Sequence, residues 1–462
     1  MKQKNCNIRN MRIHFIAIGG AAMHNLAIAL HRKGAAVSGS DDEIFDPSKS
    51  RLEKHGLLPQ QMGWNPELIT EELDAVILGM HAHADNPELA RAKELGLAIY
   101  SYPEYVYEQT KDKTRVVIGG SHGKTTITSM ILHVLQECDI RFDYLVGAQL
   151  EGFDCMVGLH ENTKVAIIEG DEYLSSPIDR RPKFHLYQPD IAVISGIAWD
   201  HMNVFPTFEN YVAQFEIFTQ KISEGGDLIY CEIDPEVKKV AAKSPKALKL
   251  HPYGIHPHRI ENGITYLPFG AGEVAINIFG DHNLQNLNAA KEVCLLLGVH
   301  EEQFYQAISN FAGAARRLEH LKSSDTGVVY KDFAHSPSKL QATTTALKSQ
   351  FPERRLLAVI ELHTFSSLNK AFLDQYQGTL DAADEAYVYF SPDVVKHKRL
   401  PEISVEDVSN AFACEGLKVF TDTDVMRKAI LERKAQAQNL LLMSSGHFGG
   451  WDLNLLAEEW LA

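Results

Sequence analysis

The chain has 462 residues, of which 45% are apolar and 23% are charged. At roughly 150 residues per domain, this length predicts about three domains with ample material for buried cores. The composition is that of an ordinary globular protein, which excludes collagen, a disulfide-dense miniprotein and wholesale disorder. The 60 acidic and 45 basic residues give a formal net charge of −15, so the chain as a whole offers no footprint for a nucleic-acid backbone.

The cysteine pattern and the N-terminal residues indicate the compartment. The six cysteines include no C-x-x-C pair, so neither a zinc knuckle nor a thioredoxin-like motif is predicted, and reduced cytosolic thiols are expected. The first ten residues are polar and lead into only a short apolar segment. No later stretch reaches the roughly 18 uninterrupted apolar residues of a membrane span. We therefore expect a cytoplasmic protein with neither a membrane nor a nucleic acid as its partner.

The first segment predicts a βαβ unit. A strand over residues 12–18 runs into Gly19 and Gly20, and a helix over 21–33 and a strand over 36–40 follow. Glycines at such a turn allow a strand to enter a helix whose N-terminus faces phosphate. The match to G-x-G-x-x-G is incomplete, so the motif does not specify NAD, but the turn is still that of a diphosphate-binding βα unit. The candidate substrate-binding residues are Gly19, Gly20, Ala21, Met23 and, for a ribose hydroxyl, Asp41.

A second turn from strand to helix carries the strongest motif of the sequence. It reads Gly120-Ser121-His122-Gly123-Lys124-Thr125-Thr126. Backbone amides in such a loop converge on phosphate oxygens, Lys124 adds a positive charge, and the Thr125 hydroxyl is placed to bind Mg²⁺. The spacing differs from G-x-x-x-x-G-K-[ST], because Ile118 stands where the first glycine would be. The pattern favours a phosphate site over a plain strand-to-helix turn.

Two further predicted strands end in polar residues. Glu169 and the acidic residues after it follow a strand over 165–168, and Asp200 and His201 follow a strand over 191–197. The carboxyl ends of parallel strands are where such a sheet presents metal ligands. We therefore expect Glu169 and His201, with Thr125, to bind metal. A solvated acidic loop and a surface histidine are the alternatives.

Two motifs lie further along the chain. Asn283 and Asn286 stand at a helix start, where their amides either cap the helix or hydrogen-bond to an adenine edge. Arg317 follows Arg316, and Asp332 opens a polar segment that includes His335. An arginine near a domain junction either forms a salt bridge in a linker or neutralises charge during phosphoryl transfer.

The rest of the chain predicts two more α/β regions. Residues 227–277 read as a β-rich elaboration, and helices resume at Leu284. A polar break at 321–326 then precedes a fresh alternation of strands and helices. Strands are expected over 327–333, 356–360, 385–390 and 440–443, with helices over 338–349 and 425–433. We expect an α/β protein with three domains, over residues 1–110, 111–323 and 324–462.

Taken in order, these motifs resemble those of the Mur ligase family, the ATP-dependent amide ligases of peptidoglycan synthesis, over nearly the whole chain. The family's G-T-[HN]-G-K-T-T loop is matched by residues 120–126, its E-x-[DE]-[ES] by 169–172 and its D-H by 200–201. Its H-N-x-x-N is matched by residues 282–286, its G-R-x-E by 317–319 and its D-[YF]-[AG]-H-x-P by 332–337. The resemblance implies a Rossmann-like UDP-sugar domain, a P-loop ATPase-like domain and a C-terminal Rossmann-like domain for the amine substrate.

The resemblance also implies the cofactors, ATP and Mg²⁺, and residue roles. It places Lys124 on the γ-phosphate, Thr125 and Glu169 on one Mg²⁺, His201 on a second Mg²⁺, Asn283 and Asn286 near adenine, Arg317 on phosphate, and Asp332 and His335 at the interdomain hinge. The implied chemistry is attack of a substrate carboxylate on the γ-phosphate, followed by attack of an amine on the acyl phosphate. Lys124 and the metal ions would offset the charge that keeps a carboxylate away from ATP.

Departures from the family patterns bear on the amine donor. Residues 208–215 lack the lysine that several members carbamylate, so the chain resembles the branch that acts directly on UDP-N-acetylmuramate. Ser336 stands where that branch usually has a second histidine. Residues 171–189 and 444–450 resemble the members that join a tripeptide, whereas residues 361–370 match neither group.

This resemblance implies that the lactyl carboxylate of UDP-N-acetylmuramate is joined to the amine of L-alanyl-γ-D-glutamyl-meso-diaminopimelate in cell-wall recycling. L-Alanine is the alternative donor. The anionic tripeptide would need cations on the third domain, and the candidates are Arg354, Arg355, Lys370, Lys396, Lys398 and Arg399. A non-catalytic ATP-dependent switch and a dinucleotide-dependent oxidoreductase are alternatives from other classes. Glu169 and His201 argue against the first, and the incomplete N-terminal glycine pattern argues against the second.

Overall fold

The structure is a computed structural model that describes residues 8–150, 152–199, 204–313 and 318–462. These residues form two compact units, one of residues up to Gly254 with Asn286–Phe304, the other of Ile255–Gln285 with Tyr305–Ala462. Among them, every helix falls short of the length and apolar character needed to cross a bilayer.

The N-terminal sheet has four parallel strands in the order β2-β1-β3-β4. Its elements are β1 (Arg12–Ile16), α1 (Ala21–Arg32), β2 (Ala36–Ser40), α2 (Ser48–Lys54), β3 (Ala75–Leu78), α3 (Pro87–Glu94), β4 (Ile99–Ser101) and α4 (Tyr102–Thr110). The strand β1 ends two residues earlier than predicted, where Ala17 turns the chain with a φ of 68°. All four residues of β3 are buried, as expected for a parallel strand that is covered on both faces.

The central sheet has seven strands in the order β11-β10-β9-β5-β8-β6-β7, and only β7 runs antiparallel to its neighbour. Its elements are β5 (Thr114–Gly119), α5 (Lys124–Glu137), β6 (Phe142–Leu145), β7 (Val157–Gly158), β8 (Val165–Glu169), β9 (Ile191–Ile194), α6 (Phe208–Thr219), β10 (Asp227–Cys231), α7 (Pro235–Lys243) and β11 (Lys249–Tyr253). Because β5 lies between β8 and β9, the loops after these three strands meet at one edge of the sheet.

The region predicted to be β-rich also contains the helix α7. Asp234 caps its first turn by accepting the backbone N–H groups of Glu236 and Val237, and Pro235 occupies the first helical position. Three antiparallel strands follow later, and two helices come after them. These elements are β12 (Arg259–Glu261), β13 (Ile264–Phe269), β14 (Gly272–Ile276), α8 (Asp281–Leu296) and α9 (Glu301–Ser309).

The C-terminal sheet has six strands in the order β15-β16-β20-β17-β18-β19, and only β15 is antiparallel. Its elements are β15 (Glu319–Ser323), β16 (Val328–Asp332), α10 (Pro337–Gln350), β17 (Leu356–Leu362), α11 (Lys370–Leu373), β18 (Glu385–Phe390), α12 (Pro392–His397), α13 (Val405–Phe412), β19 (Lys418–Phe420), α14 (Thr423–Leu431), β20 (Asn439–Ser444) and α15 (Leu453–Leu461). The predicted polar break at 321–326 begins within the strand β15. Its first residues complete an edge strand, whose exposed side chains are polar.

The three-stranded sheet β12-β13-β14 packs against α10 in the same compact unit. Gln350 on α10 donates a hydrogen bond from Nε2 to the carbonyl of Gly263 at 2.8 Å. Its Oε1 accepts a hydrogen bond from the Thr265 hydroxyl at 3.2 Å. A Cβ atom at Gly263 would lie 2.4 Å from Phe351 Cε1, so the hairpin approaches this helix closely.

Candidate active site

The loop over residues 120–126 joins β5 to α5, the context in which a phosphate loop is expected. Gly120 and Gly123 have φ angles of 137° and 81°, which favour glycine. A Cβ atom at Gly120 would lie 2.1 Å from Ser195 Oγ, and one at Gly123 would lie 2.4 Å from Asn286 Oδ1. Gly123 is the N-cap of α5 and has no side chain to cap it, so the first amides of the helix are suited to an anion.

Three other loop residues tie this turn to the rest of the central sheet. The Ser121 N–H donates to the carbonyl of Gly196 at 2.9 Å. The carbonyl of His122 accepts a hydrogen bond from the Ser195 hydroxyl. Thr126 is buried in the first turn of α5. The loop is therefore held by the segment that follows β9.

Lys124 is half-buried, with a side chain that is 13% exposed, and it is paired both within this loop and beside it. Its Nζ donates to the carbonyl of Gly120 at 2.5 Å and to Glu172 Oε2 at 2.9 Å. Burial acts to lower the pKa of Lys124, but the carboxylates of Glu172, Asp171 and Glu169 outweigh burial and raise that pKa above its ordinary value. Lys124 therefore carries a positive charge at neutral pH.

Glu169, at the end of β8, lies beside the loop. Its Oε1 accepts a hydrogen bond from the Thr125 hydroxyl at 2.7 Å, and its Oε2 accepts the Gly147 N–H at 2.7 Å. Burial, and then the nearby Asp171, raise the pKa of Glu169, although the hydrogen bonds and Lys124 act in the opposite direction. A hydroxyl and a carboxylate thus meet where the sequence predicts a metal.

These two side chains fit Mg²⁺. Among the described residues, no group of three or more His, Cys, Asp and Glu side chains forms a preformed metal cage. Mg²⁺ does not require one, because it is usually held by one or two carboxylates together with substrate phosphates and waters. Thr125 and Glu169 supply oxygen donors of that kind next to the phosphate loop.

Tyr211 is a residue of this site that the sequence did not indicate. It is fully buried on α6, its hydroxyl donates to Glu172 Oε1 at 3.1 Å, and it lies 2.8 Å from Ser121 Oγ. Ser121 Oγ in turn accepts the Ala198 N–H at 2.9 Å. The hydroxyl thus joins Glu172, the partner of Lys124, to the phosphate loop.

Four residues named from the sequence lie outside the described residues. They are Asp200, His201, Arg316 and Arg317. The predicted second metal ligand and the predicted phosphate-binding arginine therefore stay predictions.

The two asparagines at the start of α8 differ in their contacts. Asn286 Oδ1 lies against the phosphate loop at Gly123. Asn283 Nδ2 donates to the carbonyl of Phe279 at 3.0 Å, so its amide is engaged locally at the helix start. Of the two asparagines, Asn286 is the one whose side chain lies against the phosphate loop.

The N-terminal glycine turn is braced by Asp41. The Gly19 N–H donates to Asp41 Oδ2 at 2.6 Å. Burial raises the pKa of Asp41 to about 6, against the effect of this hydrogen bond. Gly20 is the N-cap of α1, which begins at Ala21 without a side-chain cap, and Met23 is buried in the core. Asp41 thus holds the turn in shape, and its contact to a ribose stays a prediction.

Asp332 and His335 form local contacts at the end of β16. Asp332 Oδ1 accepts the Ala334 N–H at 2.6 Å, and Oδ2 accepts the Leu318 N–H at 2.6 Å. His335 Nδ1 lies 2.8 Å from the carbonyl of Phe333, and its own carbonyl accepts the Tyr376 hydroxyl. Asp332 therefore fixes the chain on both sides of β16.

A cavity of about 230 Å³ opens at the carboxyl ends of β16 and β20. Its lining comprises Lys331, Asp332, Phe333, Leu442, Ser444, Ser445, Gly446, His447, Phe448, Trp451 and Leu453. Two buried polar atoms, Ser445 Oγ and Trp451 Nε1, have no hydrogen-bond partner among the described residues. Glu361 on β17 holds this loop by accepting the Phe448 N–H at 2.8 Å and the Ser444 hydroxyl. Unpaired buried donors beside a cavity are typical of a binding site for a polar group.

All six cations proposed for the third domain lie outside the lining of this cavity. Arg354 and Arg355 precede β17 and so stand at the edge of the sheet opposite to the cavity. Lys370 forms an ion pair with Asp407 at 2.7 Å. Lys396, Lys398 and Arg399 lie in and after α12 and do not line the cavity. Lys331, which the sequence did not indicate, contributes a lysine to the lining, and its ammonium group pairs with Glu319 at 2.9 Å.

A phosphate loop with a charged lysine, and a hydroxyl and carboxylate suited to Mg²⁺, define a nucleotide-dependent enzyme built from α/β sheets. Three family models match in chain order. The Mur ligase family catalytic domain matches residues 12–114, the Mur ligase middle domain residues 118–294, and the Mur ligase glutamate ligase domain residues 316–446. The chain belongs to the Mur ligase family and is an ATP-dependent ligase of peptidoglycan synthesis that forms a C–N bond.

The similar proteins carry the names of two different ligases. A UDP-N-acetylmuramate–L-alanine ligase of Roseiflexus sp. (strain RS-1) is 30% identical over 402 residues, covering 81% of this chain and 83% of the relative. A solved structure of a murein peptide ligase from Psychrobacter arcticus 273-4 covers 98% of this chain and 99% of its own, with a TM-score of 0.62 and 23% identity. The UDP-N-acetylmuramate–alanine ligase from Thermotoga maritima covers 98% of each chain, with a TM-score of 0.66 and 19% identity. At these identities the structural likeness shows the shared fold.

Proposed function

We propose that this protein joins the lactyl carboxylate of UDP-N-acetylmuramate to the amine of L-alanyl-γ-D-glutamyl-meso-diaminopimelate. The observation that carries the choice of amine is the cavity of the C-terminal sheet. Ser445 and Trp451 present two donors there that have no partner among the described residues, which suits a carboxylate, and Lys331 adds a cation that is paired with Glu319 at 2.9 Å. The tripeptide brings several carboxylates, whereas L-alanine brings one. The likeness of residues 171–189 and 444–450 to tripeptide-joining members supports the same choice.

The phosphate loop would carry out the first step. The carboxylate of UDP-N-acetylmuramate attacks the γ-phosphorus of ATP, which breaks the bond to ADP and gives an acyl phosphate. Lys124 donates to the phosphate oxygens and offsets the charge that gathers there. Mg²⁺, held by Thr125 and Glu169, supplies further charge neutralisation. The amine then attacks the acyl carbon, and phosphate and a proton leave.

The N-terminal turn would hold the sugar nucleotide. We assign its diphosphate to the amides at Gly20 and Ala21, because a helix N-terminus without a side-chain cap favours an anion and the Gly19 N–H already donates to Asp41. His201 and Arg317 keep the roles that the family resemblance implies, at a second Mg²⁺ and on phosphate. ATP and a uridine nucleotide are metabolites of the cytoplasm, where we place the reaction.

L-Alanine is the second candidate for the amine. It is favoured by the relatives that are named UDP-N-acetylmuramate–L-alanine ligases, two of which are 28% and 30% identical to this chain. The choice between the two donors rests on the C-terminal sheet, because both reactions share ATP, Mg²⁺ and UDP-N-acetylmuramate.

A competition assay decides between them. Purified protein is given ATP, Mg²⁺, UDP-N-acetylmuramate and both amines at equal concentration, and mass spectrometry identifies the products. We expect the tripeptide product to form faster, with phosphate released in equal amount. Faster incorporation of L-alanine would transfer the assignment to the second candidate. Phosphate release without either amide product would contradict both.

A further inference from the structure

We propose that Asn25 and Arg51 are positioning residues, which couple the N-terminal glycine turn to the carboxylate of Glu169 in the central sheet. The inference rests on the proposed function in one respect, namely that the N-terminal glycine turn binds the sugar nucleotide. Asn25 lies on α1 and Arg51 on α2, two helices that accompany the N-terminal sheet. Both side chains hydrogen-bond to the loop between β6 and β7 of the central sheet.

Asn25 connects the first turn of α1 to the central sheet. It is fully buried, and its Nδ2 donates to the carbonyl of Ala21 at 2.7 Å. Its Oδ1 accepts the Met156 N–H at 2.8 Å. One rigid amide group therefore holds the Ala21 carbonyl of α1 and the Met156 N–H of the loop between β6 and β7 at a fixed separation.

His24 extends this contact to the glycine turn itself. Its Nδ1 lies 2.9 Å from the carbonyl of Gly20, which only accepts hydrogen bonds, so Nδ1 carries the proton. Its Nε2 then accepts a hydrogen bond from Asn25 Nδ2 at 3.0 Å. Burial lowers the pKa of His24, which favours this neutral form. Gly20, His24 and Asn25 thus form one hydrogen-bonded chain.

Arg51 holds the same loop at other points. Its Nη1 donates to Asn25 Oδ1 at 3.2 Å, and its Nη2 donates to Gln149 Oε1 at 2.6 Å and to the carbonyl of Asp154 at 2.5 Å. These acceptors match the planar fork of a guanidinium group and not the point charge of an ammonium group. Arginine is therefore required at this position by geometry.

The other end of the loop touches the candidate metal ligand. The Gly147 N–H donates to Glu169 Oε2 at 2.7 Å, and a Cβ atom at Gly147 would lie 2.8 Å from Glu169 Oε1. The Val146 N–H donates to the carbonyl of Met156 at 2.9 Å, so the residue bound by Asn25 is also tied to the chain that enters Gly147. The contacts run without a break from Gly20 to Glu169.

This series of hydrogen-bonded contacts fixes the distance between the glycine turn and Glu169, on which the reaction depends. The carboxylate of the sugar nucleotide must come within about 3–3.5 Å of the γ-phosphorus, and a displacement of about 1 Å costs roughly 100-fold in rate. The glycine turn would place one reactant, and Glu169 with the phosphate loop would place the other. Loss of Arg51 or Asn25 contacts should therefore affect the step that needs both ligands more than the binding of either one.

The test compares Arg51→Lys and Arg51→Gln with Arg32→Gln. Arg32 is a matched control, because it also reaches from the N-terminal sheet to Asp154, but through an exposed ion pair of 3.5 Å to the side chain. We expect both Arg51 variants to lower kcat by about tenfold to 100-fold, with the KM for ATP changed less than about twofold. Arg32→Gln should leave kcat unchanged. Equal kcat in all four proteins would overturn the proposal.

A binding measurement separates coupling from general damage. The affinity of a fluorescent, non-hydrolysable ATP analogue with Mg²⁺ is measured with and without UDP-N-acetylmuramate. We expect the sugar nucleotide to change that affinity by about fivefold or more in the wild type and in Arg32→Gln, but not in Asn25→Ser or Arg51→Lys. A wild type that binds both ligands without such a change would contradict the coupling. A wild type that does not bind the sugar nucleotide would instead contradict the proposed function.

Discussion

Lys124 Nζ lies 2.9 Å from Glu172 Oε2, and Glu172 is itself fixed by the hydroxyl of the buried Tyr211. An ammonium group has three N–H donors, and Glu172 and the carbonyl of Gly120 take two of them. In the proposed ATP site, the third would donate to a phosphate oxygen. The two contacts of Lys124 fix its charge in place, which is the preorganised arrangement that lowers a barrier most effectively.

The first prediction concerns this pair. Lys124→Ala should lower turnover by about 10²–10³-fold, because a preorganised charge on phosphate is lost. It should also destabilise the fold by about 3–5 kcal/mol, because the buried Glu172 keeps its hydrogen bond from Tyr211 but loses the cation that balances its charge. Circular dichroism, urea unfolding and turnover on the same sample measure these effects. In the double variant Lys124→Ala/Glu172→Gln we expect stability to return and turnover to stay low. Near-normal turnover in either variant would refute the ATP site.

The second prediction concerns Glu169, the proposed metal ligand. Its pKa is raised by burial, and only the deprotonated carboxylate binds Mg²⁺. The Mg²⁺ concentration that gives half-maximal activity should therefore rise as the pH falls from neutrality. Glu169→Gln should need about tenfold more Mg²⁺ and lose this pH dependence. The Mg²⁺ titration of the wild type at several pH values is the reference. An identical pH dependence in the variant would exclude Glu169 as the ligand.

Strands that end at a polar residue or at a glycine turn were predictable from the sequence. The strands β2 and β18 have the predicted bounds, because a polar residue follows each of them, Asp41 after β2 and Ser391 after β18. The phosphate loop lies between its predicted strand and helix for the same reason. The edge strand β15 was missed, because exposed side chains at a sheet edge are polar and resemble a linker.

The residues that complete the site were not predictable, because their roles depend on contacts between distant segments. Tyr211 lies in an aromatic run on α6 that reads as core, and only the packing of α6 brings its hydroxyl to Glu172. Asn25 and Arg51 stand in ordinary helical patterns, and their partners lie about a hundred residues away, in the loop between β6 and β7. Motifs report residues that bind a ligand, whereas residues that support them carry no local pattern.

The third prediction concerns Asp41 in the N-terminal turn. Its pKa rises from 3.8 to about 6 on folding, so the native state holds this proton more tightly than the unfolded chain. The resulting stabilisation is complete below the unfolded pKa and is lost as the pH rises through about 6. The free energy of unfolding of the wild type, relative to Asp41→Asn, should therefore fall as the pH rises from 4.5 to about 6.5. Urea unfolding of both proteins checks this, and a constant difference would show that the turn does not retain the proton.

The last prediction concerns the cavity of the C-terminal sheet. Hydrogen bonds to a charged group contribute about 1.5–3 kcal/mol, or more than tenfold in affinity. If Ser445 Oγ and Trp451 Nε1 donate to a carboxylate of the tripeptide, Ser445→Ala and Trp451→Phe should each raise the KM for the tripeptide by about tenfold. Their KM for ATP should not change. Trp460→Phe is the matched control, because Trp460 Nε1 already donates to the carbonyl of Gln438 at 3.3 Å within the same unit. An unchanged KM for the tripeptide in both cavity variants would remove the cavity from the amine site.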